Sequence, residues 1–224
     1  MNLPDKIEVL FQDEALVIVN KPAGLPVHET SDPLRAHVQG LIEKQVGKKL
    51  ILHHRLDLET TGVLVFGFDR PDVNKAMTDI FRDRDIEKNY WAVVDGRWLE
   101  AWTEVVTYIK KLPGGKWGNV PKGKSGAFSK SLFKILSSNG ERTWLQVKLE
   151  TGRTHQIRLH CHEKQHPILG DRTYGRADKR GYPMALHARS LVFPHPLTGE
   201  SVRVEAPAPP YWDEYFLKGL ARPI

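Results

Sequence analysis

The sequence predicts an α/β (α+β) fold on a mixed, mainly antiparallel β-sheet flanked by helices and loops. Three observations carry that expectation. Strand-sized apolar stretches such as Leu16–Val19 and Val63–Phe66 recur along the chain. Several are joined in pairs by short turn sequences, which reads as hairpins. Between them lie longer stretches whose apolar residues repeat at helical spacing.

In chain order, Ile7–Phe11 and Leu16–Asn20 flank Gln12-Asp13-Glu14 as a hairpin, and Lys21-Pro22-Ala23-Gly24 ends the second strand with turn residues. Pro33 to Val46 carries Leu34, Val38, Leu41 and Ile42 at helical spacing, with Ser31 or Asp32 as the cap. Gly62–Phe68 is apolar on both faces and suits the centre of a sheet. Asp72–Arg84 gathers Val73, Ala76, Met77, Ile80 and Phe81 on one helical face. Lys88–Gly96 and Ala101–Ile109 return to strand. Leu112–Gly126, rich in Gly and Pro, reads as a long exposed loop. Ser131–Leu136 and Thr143–Glu150 form an antiparallel pair, and a helix runs from about Thr154 to Lys164. Leu186–Phe193 and Ser201–Ala206 pair across Leu197-Thr198-Gly199-Glu200, and the Pro-rich tail from Pro207 ends in a short helix. No repeat or linker divides the 224 residues, so a single domain over 1–224 is expected.

The composition, 40% hydrophobic and 27% charged, is that of a soluble globular chain. Cys161 is the only cysteine, so no internal disulfide is possible and a reducing, cytoplasmic setting is expected. No apolar run is long enough for a signal peptide or a membrane span. The net charge of +6 hints at a polyanionic partner. Its distribution says more. Between Val105 and Gly140 there is no Asp or Glu, while Lys110, Lys111, Lys116, Lys122, Lys124, Lys130 and Lys134 all fall there. Such a stretch suits sequence-independent phosphate contact, with Trp117 available to stack on a base. The alternative is a solvated loop that keeps the protein soluble.

Chemistry concentrates in a few places. His54-Arg55-Leu56-Asp57 runs through Thr60-Thr61-Gly62 into an apolar strand, which sets the Asp57 carboxylate beside the Arg55 guanidinium at the entrance of a rigid mount. The residues alone fit a surface ion pair as well as a catalytic site. Arg153 lies where a strand turns into a helix, a place that can hold a carboxylate or phosphate, or merely cap a neighbouring strand. Tyr90 at a strand start is either core or a stacking platform. His155, His160, Cys161, His162 and His166 crowd together, but without a His-Glu-x-x-His pattern or a second cysteine they read as polar residues facing RNA or water, not as a metal site. No nucleophile elbow, phosphate-binding loop or dinucleotide fingerprint is present.

These residues resemble the RluA family of RNA pseudouridine synthases. His54-Arg55-Leu56-Asp57 with Thr60-Thr61-Gly62 is similar to the family's signature. Asn20-Lys21-Pro22-Ala23-Gly24-Leu25-Pro26-Val27-His28, Lys88-Asn89-Tyr90, Thr151–Arg158, His166–Asp171 and Leu186-His187-Ala188 resemble its other blocks, in the family's order and over nearly the whole chain.

The resemblance implies the pseudouridine synthase fold and the isomerisation of uridine in ribosomal or transfer RNA to pseudouridine, without cofactor or metal. It makes Asp57 the catalytic carboxylate, Arg153 its ionic partner, Tyr90 the platform under the base and Leu186 an apolar wall of the pocket. It casts Arg55 as filler of the gap left by the flipped base; with RNA as the substrate, His54 and, from the charge distribution, Lys110, Lys111, Lys116, Lys122 and Lys124 are expected on the RNA. Thr61 stands where the family's motif usually carries Ser. Some six residues precede the first strand, so no accessory RNA-binding domain is expected ahead of it. The lysine loop would supply more of the grip on a stem-loop substrate, and a monomer suffices. The competing classes are a binding-only RNA or ribosome-assembly factor and a metal-dependent hydrolase.

Overall fold

The computed structural model describes residues 6–32, 34–175 and 183–222. It has the expected mixed α/β class, mainly antiparallel, and divides into two compact units. One comprises Met1–Lys88 with His187–Ala208, the other Asn89–Leu186 with Pro209–Ile224.

The first unit holds β1 (Glu8–Gln12), β2 (Leu16–Lys21), α1 (Val38–Val46), β3 (Leu50–Leu52), β4 (Thr61–Phe68) and α2 (Pro71–Asp83). The second opens with β5 (Glu87–Asp95), β6 (Trp102–Lys111), β7 (Trp117–Val120), β8 (Ala127–Ser138), β9 (Arg142–Leu149) and α3 (Gln156–Glu163). The chain then returns to the first unit through β10 (Leu186–Pro194) and β11 (Ser201–Glu205), and ends in the second with α4 (Tyr211–Tyr215).

In the first unit β4 is the spine, and every residue of it is buried. β2 runs antiparallel along its length, while the other edge is shared between β10, parallel at Thr61 and Gly62, and β3, antiparallel at Phe66–Phe68. Val63 and Val65 point toward Val73, Met77 and Ile80 of α2, at i, i+4 and i+7, and complete a core with Ile18, Leu191 and Phe193. Pro71 opens α2 and Arg84, left-handed at φ 63°, closes it.

Parallel contact of β10 with β4 requires a glycine. Gly62 has φ 108°, and a Cβ there would lie 2.2 Å from the carbonyl oxygen of Ala188. Gly62→Ala is expected to cost roughly 3 kcal/mol or more, through backbone strain and collision with a buried strand. The urea midpoint measures it, and an unchanged midpoint would contradict this close approach.

In the second unit the strand order is β5-β9-β8-β6-β7, with β8 antiparallel to both neighbours and α3 packed on β6 and β8. His160 of α3 is fully buried and faces hydroxyls: Nε2 lies 3.0 Å from Thr107 Oγ1 and 3.1 Å from Ser129 Oγ, and Nδ1 3.0 Å from Ser131 Oγ. Burial pushes its pKa down to about 4.

Several expectations are corrected. The first helix begins at Val38 with His37 as its cap, because Asp32 instead closes a local turn by accepting from the backbone of Leu34 and Arg35. Leu34 is 93% exposed, and Pro33 lies outside the described residues. β3 had no sequence signal beyond three apolar residues. The stretch 112–126 is not a free loop, since β7 within it pairs with β6. The histidine helix does not face water throughout: His160 and Cys161 are buried, and burial drives the thiol far above its ordinary pKa.

Candidate active site and RNA-contacting residues

Asp57 stands at the start of a turn whose backbone closes through Thr60 N–H to Asp57 O at 3.1 Å. What holds this turn is Lys21, at the end of β2. Its side chain is fully buried, and Nζ donates to the carbonyls of Pro22 at 2.8 Å and of Leu58 and Thr60 at 2.9 Å each. Three acceptors match the three N–H bonds of an ammonium. Gly24 N–H also donates to Leu58 O, at 2.9 Å. The Lys21-Pro22-Ala23-Gly24 turn is therefore strapped to the Asp57 turn, two segments far apart in sequence.

Burial lowers the Lys21 pKa to about 7, against the pull of Glu59 and Asp57, which favour the charged form. The sequence carried only a weak signal for this role. A lysine beside a proline at a strand end looks like an exposed turn charge.

The strand behind the turn is braced at its start. Thr61 Oγ1 lies 2.8 Å from His187 Nδ1, and His187 Nε2 lies 3.1 Å from Ala206 O. A carbonyl only accepts, so Nε2 carries the proton and the Thr61 hydroxyl donates to Nδ1. Burial pushes His187 down to about 4, keeping the ring neutral as this requires. The hydroxyl at position 61 thus has a structural use that serine would serve equally.

His54 accepts from Val65 N–H at Nε2 (3.0 Å) and stacks on Phe81 with centroids 5.0 Å apart. Burial first, then Lys88 and His53, push its pKa down to about 3. His54, half-buried, braces β4 through these contacts. Arg55, next to it, is exposed.

The other candidates lie in the second unit. Tyr90 and Leu186 are buried, and Arg153 is exposed. The turn that carries Arg153 is pinned by Gln156, only 3% exposed. Gln156 Oε1 accepts from Thr151 Oγ1 at 2.7 Å and from Arg153 N–H at 3.0 Å, while Nε2 donates to Lys130 O and Ser131 Oγ, both at 2.9 Å. Arg153 Nε donates to Phe128 O at 3.0 Å. Behind it, Arg158 and Asp171 form a buried bidentate pair at 2.8 and 2.9 Å. Lys111, Lys116, Lys122 and Lys124 are exposed, and Lys110, half-buried, donates to Lys124 O at 3.2 Å.

The model of the RNA pseudouridylate synthase family matches residues 15–163, more than half of the chain. The chain belongs to that family, one of RNA-modifying isomerases. It is 32% identical over 239 residues to the ribosomal large subunit pseudouridine synthase D of Neisseria meningitidis, covering 98% of this chain and 62% of that one. It is 31% identical over 240 residues to the tRNA pseudouridine synthase C of Vibrio parahaemolyticus, covering 96% of each. Among solved structures, the human RNA pseudouridylate synthase domain containing 4 superposes with a TM-score of 0.79 at 27% identity, over 97% of this chain and 95% of that one. The family match spans both the strapped Asp57 turn and the pinned Arg153 turn. Among the described residues, no helix is long and apolar enough to cross a membrane.

Proposed function

We propose that this member of the pseudouridylate synthase family converts a specific uridine in a structured RNA, a ribosomal or transfer RNA stem-loop, into pseudouridine, with Asp57 as the catalytic carboxylate and no cofactor. The observation that carries the reading is the strap on the Asp57 turn. A fully buried lysine spends all three of its N–H bonds on carbonyls of the Lys21 and Asp57 turns. Burying an ammonium is costly, and here its hydrogen bonds hold a carboxylate-bearing turn at the foot of a rigid strand.

In the reaction the glycosidic N1–C1′ bond breaks and a C5–C1′ bond forms. The C5 proton leaves to water and N1 takes one up. An aspartate can act as nucleophile or base and can stabilise positive charge developing on the sugar. Arg153 is the ionic partner of Asp57, Tyr90 the surface on which the target base stacks, and Leu186 the apolar wall. Arg55, exposed, replaces the flipped base in the RNA stack, since a guanidinium plane can stand in for one. The lysines at 110, 111, 116, 122 and 124 contact phosphates.

The test is release of tritium from RNA labelled at uridine C5, on bulk tRNA and on ribosomal RNA, with a chelator present. Stoichiometric release to water without added metal is the expected result. No release from either RNA, with binding intact, would favour a binding factor. Release that the chelator abolishes would favour a metal enzyme.

A further inference from the structure

Tyr174 fastens β7 of the basic hairpin to the start of α3. The Tyr174 hydroxyl donates to the backbone carbonyl of Trp117, in β7, at 3.0 Å, and lies 2.8 Å from His155 Nδ1. A phenol has one proton, already given to the carbonyl, so His155 Nδ1–H donates to the phenol oxygen. The two bonds form a directed chain from His155 through Tyr174 to the hairpin.

Both ends of this chain are constrained. His155, two residues after Arg153, adopts a left-handed backbone at φ 56°, which a residue with a Cβ holds only where its surroundings demand it. Tyr174 is oriented from behind. Asp171 Oδ1 accepts from the N–H groups of Thr173 (2.8 Å) and Tyr174 (3.1 Å), and the Arg158 guanidinium lies 5.0 Å from the ring centroid. A second tie joins Asn119 Nδ2 to Glu163 Oε2 at 3.0 Å, again hairpin to α3, but between two side chains at the surface.

We propose that Tyr174 and His155 form a strut that holds the basic hairpin at a set position relative to the Arg153 turn, making Tyr174 a positioning residue for RNA capture. The inference rests on the reading that the hairpin lysines grip RNA. Its physical basis is preorganisation. Lys111, Lys116, Lys122 and Lys124 project from a short ribbon whose β7 pairs, among the described residues, only with β6, and such a ribbon is mobile unless tied down. Fixing it before RNA arrives removes an ordering cost from binding.

Tyr174→Phe deletes only the hydroxyl and keeps the ring beside Arg158. In the free protein, amides of residues 112–126 are expected to exchange roughly tenfold faster, as one half-buried hydrogen-bond chain is lost. KM for tRNA or ribosomal RNA should rise about five- to tenfold, with kcat at saturating RNA within about twofold of the wild type. Unchanged exchange in the hairpin overturns the strut. Faster exchange with unchanged KM overturns its role in RNA capture.

A variant with Lys111, Lys116, Lys122 and Lys124 all changed to Ala separates the two readings. If it binds both RNAs as well as the wild type, the hairpin-grip reading fails. If it loses affinity while Tyr174→Phe does not, the strut alone fails. Hydrogen exchange on the free protein needs no activity, so it stays informative even if pseudouridine formation is not found.

Discussion

Asp57→Ala is expected to abolish pseudouridine formation, lowering kcat by at least about a thousandfold. The effect should be large because the proposed reaction runs through the Asp57 carboxylate. The turn is closed by the Asp57 backbone carbonyl, and the Lys21 strap reaches carbonyls of Pro22, Leu58 and Thr60, so alanine leaves the backbone scaffold in place. Asp57 does help keep Lys21 charged, and its loss weakens that support slightly. The melting temperature and the affinity for RNA should therefore stay close to wild type while tritium release disappears. Release by the variant at the wild-type rate would remove Asp57 from the mechanism. Collapse of the fold would mean that the carboxylate is structural.

Lys21→Met is expected to lower kcat about a hundredfold, the scale set by misplacing a catalytic group by about an ångström. Methionine keeps the apolar stem but takes the lysine donor from three carbonyls, of which Leu58 O keeps the Gly24 N–H; each carbonyl left dry and unbonded costs roughly 1–3 kcal/mol. Removing a buried ammonium returns part of that cost, so stability should fall less than activity. Lys21→Arg should not rescue, because a larger, planar group must enter a site with no exposed surface.

The pH dependence has a definite sign. With a folded pKa of about 7 against an ordinary 10.5, Lys21 binds its proton more weakly in the folded chain. Its contribution to stability therefore rises as pH climbs from 7 toward 10.5. Over the same range the third N–H bond of the strap is lost. Activity should decline above about pH 7 while thermal stability does not follow it down. A kcat that is flat across this window, or a methionine variant of full activity, would show that the strap does not position Asp57.

How much of this was legible in the sequence follows from how local each signal is. The central strand announced itself because Gly62–Phe68 is apolar at every position, and α2 did so because Val73, Met77 and Ile80 repeat at helical spacing. The first helix was drawn too long because Leu34 fits the period yet packs on nothing. β7 was missed because Gly, Pro and Lys surround four residues that become a strand only when β6 lies alongside. The candidate carboxylate and arginine were found from motif and order. Lys21, Gln156 and Tyr174, which hold the turns and the hairpin in place, were not.

The sequence by itself determined the class of fold, the order of the elements, the family and Asp57 as the residue to test, since periodicity and motif are written in consecutive residues. Tertiary structure alone decided which polar groups meet. Lys21 finds Leu58 and Thr60 across 37 and 39 residues, Thr61 finds His187 across 126, and Tyr174 finds Trp117 across 57. A buried polar group must take whatever partner the closed chain brings within about 3 Å, and no local pattern encodes that partner.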